Sequence, residues 1–284
     1  MTTIINNLKH NNCPLCKSPS IRFVSFISYS NSPHIHTQTI NFTRNPELWK
    51  CLRCRSKFVQ YVMSESYAQT YYQDGDSPER WTSSETFEKS KPSDLLHILK
   101  SMTPKNASVL DIGCNTGELL DFYSKLGCKT YGIELSNKSK KVLKLKRHKV
   151  YDSPNEVPIK FDLITAFDLV EHIHDLKGLM DKCYDILCKN GKFIILTGNV
   201  NSLSSILAGG NWYYFQFPEH IVFPTRKFFQ SCTKFRIEKQ FHTYVQKSYK
   251  SPLIDSIKYF IKFYKTYNGI PTIGPDHVLW ILKK

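Results

Sequence analysis

From about residue 107 the chain alternates short apolar runs with stretches in which apolar side chains recur at helical spacing. The runs 108–112, 130–134, 149–152, 162–167 and 192–197 predict strands, and 118–126, 138–146 and 176–188 predict helices between them. Asn190-Gly191 reads as the C-cap of the last helix. Two further runs, 235–244 and 277–282, predict strands that pair at a sheet edge. This order predicts an α/β fold with a seven-stranded, mostly parallel sheet and helices on both faces. Just before it, Ser93-Asp94 precedes Leu95, Leu96, Ile98 and Leu99, the pattern of a capped helix.

Residues 1–65 read differently. Strand-like runs at 21–28 and 58–63 flank loops rich in Ser, Asn and Pro, with too little apolar sequence for an independent core. Residues 66–92, with Tyr67, Tyr71, Tyr72 and Trp81, read as a connector that touches the domain spanning 93–284. Cysteine supplies the missing staple. Cys13-Pro14-Leu15-Cys16 and Cys51-Leu52-Arg53-Cys54 are two CxxC turns with 34 residues between them. Two such turns complete a thiolate tetrahedron around structural Zn²⁺. The alternative for CxxC, a thioredoxin-like redox pair, lacks the helix start that it requires. His10, His34 and His36 are nearby spare ligands expected in loops.

At 284 residues, 41% hydrophobic and 22% charged, the chain is of globular composition. No run of about 18 apolar residues predicts a membrane span. The polar start and the scattered cysteines Cys114, Cys128, Cys183, Cys188 and Cys232 predict a cytoplasmic protein. The net charge is +15, and residues 201–284 carry 12 basic against 4 acidic side chains. That excess suggests an anionic partner: a phosphorylated metabolite, nucleic acid or anionic lipid. Of the 39 basic residues 31 are Lys, so a lysine-rich composition explains it equally well. The lysines of 138–149 read as a solvated helix face. Leu253, Ile254, Ile257, Ile261 and Tyr264 read as the buried stripe of an amphipathic lid helix, with contact to a lipid-linked or nucleotide-linked acceptor as the sharper alternative.

The chemistry concentrates in Val109-Leu110-Asp111-Ile112-Gly113-Cys114-Asn115-Thr116-Gly117-Glu118 and in Glu134, which ends Tyr131-Gly132-Ile133-Glu134. Gly113 and Gly117 let backbone approach a ligand. Asp111 can take a cationic amino group, and Glu134 can accept both hydroxyls of a ribose. A dinucleotide fingerprint needs glycine where Asn115 and Glu118 stand, and a carboxylate there is unwelcome beside a pyrophosphate. S-adenosylmethionine carries no phosphate, so it is the expected cofactor.

The runs VLDIGCNTGELL, YGIELS, FDLITAFDLVEHI and NGKFIILTGN resemble the class I S-adenosylmethionine-dependent methyltransferases over roughly residues 93–245. The resemblance implies a Rossmann-like sheet. It places Asp111, Gly113 and Gly117 at the methionine end, with Asn115 between them expected to bind the cofactor too, Glu134 on the ribose, Tyr151 and Asp152 near the adenine, and Asp168 and Leu169 beside the methyl group. Three elements face the acceptor: Glu171-His172, the loop from Asn211 to His220, and Tyr71-Tyr72. His220 leads as general base, with Glu219 beside it, whereas His172 reads as a helix-start residue bounding the pocket. The zinc unit, tyrosine connector and Pro-Glu-His loop are similar to sugar C-methyltransferases, which implies Tyr71 or Tyr72 as helper and a sugar or nucleotide-linked sugar as small-molecule acceptor. Phe217 stands where those enzymes carry a second tyrosine, and their further C-terminal domain is not expected here, which leaves O- or N-methylation of another acceptor open. An RNA methyltransferase and a catalytically silent cofactor-binding module are the alternatives.

Overall fold

The computed structural model describes residues 2–5, 9–28, 34–35, 38–42, 44–74, 86–244 and 274–284. Trp81 and the amphipathic stretch 252–267 lie outside the described residues. The N-terminal strands are β1 (Thr2–Ile5), β2 (Ile21–Phe26), β3 (His34–Ile35), β4 (Gln38–Phe42), β5 (Glu47–Cys51) and β6 (Lys57–Gln60). Helices α1 (Glu65–Asp74), α2 (Phe87–Ser90) and α3 (Ser93–Met102) follow. Then come β7 (Ser108–Ile112), α4 (Glu118–Lys125), β8 (Lys129–Ile133), α5 (Asn137–Leu145), β9 (Lys149–Tyr151), β10 (Phe161–Phe167), α6 (Leu176–Ile186), β11 (Leu187–Gly198), α7 (Leu203–Ala208), β12 (Val222–Phe223), α8 (Arg226–Cys232), β13 (Arg236–Thr243) and β14 (His277–Lys283).

The main sheet has the order β13-β14-β11-β10-β7-β8-β9. Strands β7 to β11 pair in parallel, and β14 runs antiparallel to both β11 and β13. The seven strands and their edge pair are those the apolar runs predict. Period-two alternation divides the core. Val109, Leu163, Ile194, Leu196, Leu279 and Ile281 face one side, against Leu95 and Leu99 of α3 and Phe122 of α4. Leu110, Ile164, Phe193, Ile195 and Trp280 face the other, against Met180 and Cys183 of α6 and Phe228 of α8. Strand order reverses between β7 and β10, which opens the ligand crevice at their carboxyl ends.

Three local expectations are corrected. Asn190-Gly191 does not cap α6: the helix stops at Ile186, Leu187 is already extended, and Asn190 (φ 66°) sits in a stretch where the β10–β11 register shifts. Pairing of Leu187 with Phe161 pulls the chain out of the helix early. Ser93 lies inside α3 behind Pro92, and no side-chain cap bond is made there. His34 falls in a two-residue strand, not a loop.

Among the described residues a second sheet has the order β12-β6-β5-β2, and a third the order β1-β4-β3. Strand β12 follows His220 by two residues, and the Val59 N–H donates to the carbonyl of Ile221 at 2.8 Å. The cysteine-bearing sheet is therefore stitched to the loop that carries Glu219 and His220. Among the described residues no helix is long and apolar enough to cross a membrane.

Candidate functional site

Two strand tips and the bend between them define the first half of the site. Asp111, next to last in β7, is buried and accepts the Thr165 hydroxyl at 2.7 Å. Burial pushes its carboxyl up to about 7, with Thr165 opposing and the nearby Glu134 adding to the rise. No cation pairs with it among the described residues. Gly113 has φ 72°, which favours glycine, and a Cβ there would stand 2.8 Å from a Leu169 methyl, which would have to move aside. Asn115 (φ 45°) is held by the Ser139 hydroxyl, which donates to Oδ1 at 2.8 Å. The Asn115 N–H donates to Oε2 of Glu134 at 2.8 Å, and the Ser136 N–H donates to Oε1 at 2.7 Å. One backbone donor on each oxygen fixes the carboxylate plane and leaves lone pairs for a diol. Burial raises the Glu134 carboxyl, and the two N–H donors oppose that rise. Gly117 (φ 84°) packs against Leu143 and His148 and opens α4. Asp152, after β9, spends its carboxylate on Lys140 at 2.8 Å near the surface.

The second half lies at the carboxyl ends of β10 and β11. Asp168 (φ 47°) accepts from the Tyr214 hydroxyl at 3.1 Å. Tyr214 also bonds Oε1 of fully buried Glu171, whose Oε2 accepts from Thr197 at 3.0 Å. Burial raises the Glu171 carboxyl, and burial together with the Glu171 and Asp168 carboxylates keeps Tyr214 protonated. His220 is buried, and its Nδ1 donates to the carbonyl of Tyr214 at 2.6 Å. A carbonyl only accepts, so the neutral ring carries its proton on Nδ1 and its lone pair on Nε2. Burial holds the His220 imidazole well below the usual range, reinforced by His172 at 4.6 Å edge to face, with the Tyr214 carbonyl opposing. The ring is thus neutral at physiological pH, with the Nε2 lone pair unprotonated.

Both connector tyrosines reach this centre. The Tyr71 hydroxyl donates to Glu219, and the Tyr72 hydroxyl lies 2.9 Å from Nδ1 of His172, which itself donates to the Glu219 carbonyl at 3.0 Å. One ligand-capable atom each from Glu171, His172 and His220 converges within 4.8 Å. Sequence reasoning missed the pair Asp276-His277. His277 is buried, with Nδ1 2.9 Å from Asp276 and Nε2 3.7 Å from Asp168, too far for a hydrogen bond. Burial works against its charge, yet the Asp276 bond and the fields of Asp168 and Glu171 raise it overall. A signal was present: an antiparallel strand begins where its parallel neighbours end, so the first residues of β14 had to fall on the ligand side.

The four cysteines of the two CxxC turns gather their sulfurs within 4.8 Å of one another, with Cys13–Cys54 at 3.8 Å and Cys16–Cys51 at 3.5 Å. Sulfurs on a tetrahedral Zn²⁺ at about 2.3 Å stand roughly 3.8 Å apart, so the arrangement fits that ion.

A family model described as a methyltransferase domain matches residues 85–234, more than half of the chain. The chain belongs to that family. Among curated relatives, the ubiquinone biosynthesis O-methyltransferase of Pelagibacter ubique is 34% identical over 113 residues, 37% of this chain and 47% of that protein. The protein of the same name from Bradyrhizobium diazoefficiens is 33% identical over 112 residues, 35% of this chain and 43% of its own length. This chain spans about half the length of the curated relatives it matches. Among solved structures, an S-adenosylmethionine-dependent methyltransferase from Archaeoglobus fulgidus aligns with a TM-score of 0.48 at 21% identity, covering 67% of this chain and 92% of that one.

Proposed function

We propose that this protein transfers the methyl group of S-adenosylmethionine to a small-molecule acceptor, with Nε2 of His220 taking the acceptor's proton. The observation that carries this reading is the pair of carboxylates on neighbouring strand tips, Asp111 and Glu134, separated by a bend whose left-handed backbone favours glycine at 113. When bound, S-adenosylmethionine supplies a methyl carbon made electrophilic by a sulfonium. Glu134, fixed by two backbone N–H groups, would hold the ribose diol. Asp111, buried without a cation among the described residues, would receive the ammonium, aided by Asn115 and Gly117 around the turn. Leu169 and Asp168 would border the methyl region. Asp152 would lie at the adenine end, its backbone rather than its Lys140-bound carboxylate facing the base.

His220 contributes a lone pair of known position, because its other nitrogen is already bonded. Most of the acceleration would come from holding the acceptor oxygen or carbon in line with the methyl group. Glu219 with Tyr71, and His172 with Tyr72, would fix the loop and the connector around that point. The acceptor we infer carries a hydroxyl or an acidified C–H, with a sugar or nucleotide-linked sugar foremost. The printed names of the curated relatives favour oxygen as the methylated atom. Zn²⁺ on Cys13, Cys16, Cys51 and Cys54 would have a structural part, since four thiolates leave no open position. Transfer of labelled methyl from S-adenosylmethionine to a panel of nucleotide sugars and phenolic acceptors, by wild type and His220→Ala, tests the reading. Labelling by wild type that the variant loses supports it, and equal labelling by both removes His220 as base.

A further inference from the structure

The cysteine-bearing sheet carries a row of cations that neither the strand tips nor the His220 network uses. Arg22 of β2 lies opposite Lys50 of β5, Lys50 lies opposite Lys57 of β6, and Lys57 lies opposite Phe223 of β12. Directly opposed residues of an antiparallel pair project to the same side of the sheet. Three cations therefore stand abreast on one face, and at a strand spacing of about 4.8 Å the outer two are roughly 10 Å apart. That span exceeds what a single phosphate bridges and suits two linked phosphates.

Like charges at opposed positions repel, and no carboxylate among the described residues pairs with them. Among the described residues none of the three side chains makes a hydrogen bond or ion pair. The sheet's own carboxylate, Glu47, is an odd number of residues from Lys50 and so projects to the opposite face, where it accepts the Trp49 indole N–H at 2.7 Å. Lys57 is the most enclosed of the three. Its ammonium lies 5.8 Å from the ring centroid of Phe215, within cation–π range. Burial, then the charge of Lys50, lowers its pKa to about 8. Phe215 in turn packs edge-on against Phe223 at 4.7 Å and belongs to the loop that ends in Glu219 and His220. The row thus runs inward across the sheet and stops at the loop bearing the base.

We propose that Arg22, Lys50 and Lys57 form an anion-binding row that takes the diphosphate group of a diphosphate-bearing acceptor and presents the rest of that molecule to His220. The second clause rests on the methyltransfer reading; the anion binding does not. Calorimetry on the full, zinc-loaded chain with inorganic pyrophosphate tests it. Wild type takes up one pyrophosphate, more weakly as salt rises. Arg22→Gln, Lys50→Gln and Lys57→Gln each weaken that uptake by roughly tenfold, the worth of one charge-assisted contact. The same variants bind S-adenosylhomocysteine as wild type does, which separates this site from the strand tips. Should Lys57→Gln not fold, Arg22→Gln on the exposed edge strand carries the comparison. Absence of saturable pyrophosphate uptake by wild type, or uptake unchanged in the variants, overturns the proposal. So does single-stranded RNA that binds more tightly and displaces pyrophosphate, because the row is then a nucleic-acid surface. Loss of S-adenosylhomocysteine binding by wild type with pyrophosphate binding intact removes the cofactor reading and leaves the anion row standing.

Discussion

The Tyr71 hydroxyl donates to the Glu219 carboxylate across 148 residues of sequence, which ties the connector helix to the loop holding the proposed base. Tyr72, its neighbour, turns instead to Nδ1 of His172. The two phenols are thereby separable. Tyr71→Phe leaves a buried carboxylate short of a donor, a loss of about 1–3 kcal/mol, and is expected to lower the melting temperature together with the rate. Tyr72→Phe touches a less buried contact and is expected to change the rate more than the stability. Thermal melts and methyl-transfer rates on the two variants check this; equal melting temperatures would contradict the assignment of Glu219 as the buried partner.

His220 carries the heaviest catalytic expectation. General-base removal typically lowers rate by about 10²–10⁴-fold. His220→Ala is expected to fall in that range while still binding S-adenosylhomocysteine, since the strand tips are untouched.

The pH dependence follows from the burial of the same ring. The folded-state pKa of His220 is depressed, so the ring stays deprotonated, and competent as a base, to lower pH than an ordinary histidine. The unfolded chain takes up that proton near 6.5, so this group costs stability as pH falls below that value. The acid limb of the rate profile should therefore lie below the ordinary histidine range. At saturating S-adenosylmethionine, where Asp111 is already ionised, a limb centred at 6.5 or above contradicts a buried neutral base.

Asp111 gives the opposite sign. Its folded pKa of about 7 stands above the ordinary value of 3.8. Between those values the folded chain holds more protons than the unfolded one, and stability falls as pH rises. A ligand ammonium favours the ionised form, so cofactor binding near neutral pH should release a proton from this site. Asp111→Asn should melt higher than wild type at pH 7.5 without ligand and bind S-adenosylhomocysteine at least tenfold more weakly, a loss of about 1.4 kcal/mol or more. Melts with and without ligand check both halves.

The metal prediction joins two regions. Cys51→Ser with Cys54→Ser should abolish zinc content and remove on the order of 10 kcal/mol of binding free energy from folding. Because β12 pairs with β6, the loop carrying His220 should lose its protection from hydrogen exchange as well. Undiminished zinc content contradicts the four-thiolate site.

Much of this architecture was legible along the chain, for stated reasons. The apolar runs of β7 to β11 alternate cleanly between two helix layers, so their strand character survives any choice of neighbour. Asp111, Gly113 and Glu134 announced themselves because backbone constraint and charge coincide at short spacing. What resisted was contact between distant segments. Adjacent tyrosines on a helix point to different sides, and only packing decides which meets Glu219. His277 reads only as the first residue of a strand at the sheet edge, and its place near Asp168 follows once β14 is known to run antiparallel to β11. The row Arg22, Lys50, Lys57 depends on the register of three strands, which single residues do not specify.

The central claim is that the carboxylates of Asp111 and Glu134 grip the ammonium and the ribose diol that S-adenosylmethionine shares with its demethylated product, and equilibrium binding tests it most directly. Titration of the zinc-loaded chain with S-adenosylhomocysteine, for wild type and Glu134→Gln, should give saturable one-to-one uptake by wild type and uptake weakened by about tenfold or more in the variant. No uptake by wild type, or equal uptake by both proteins, would contradict the account.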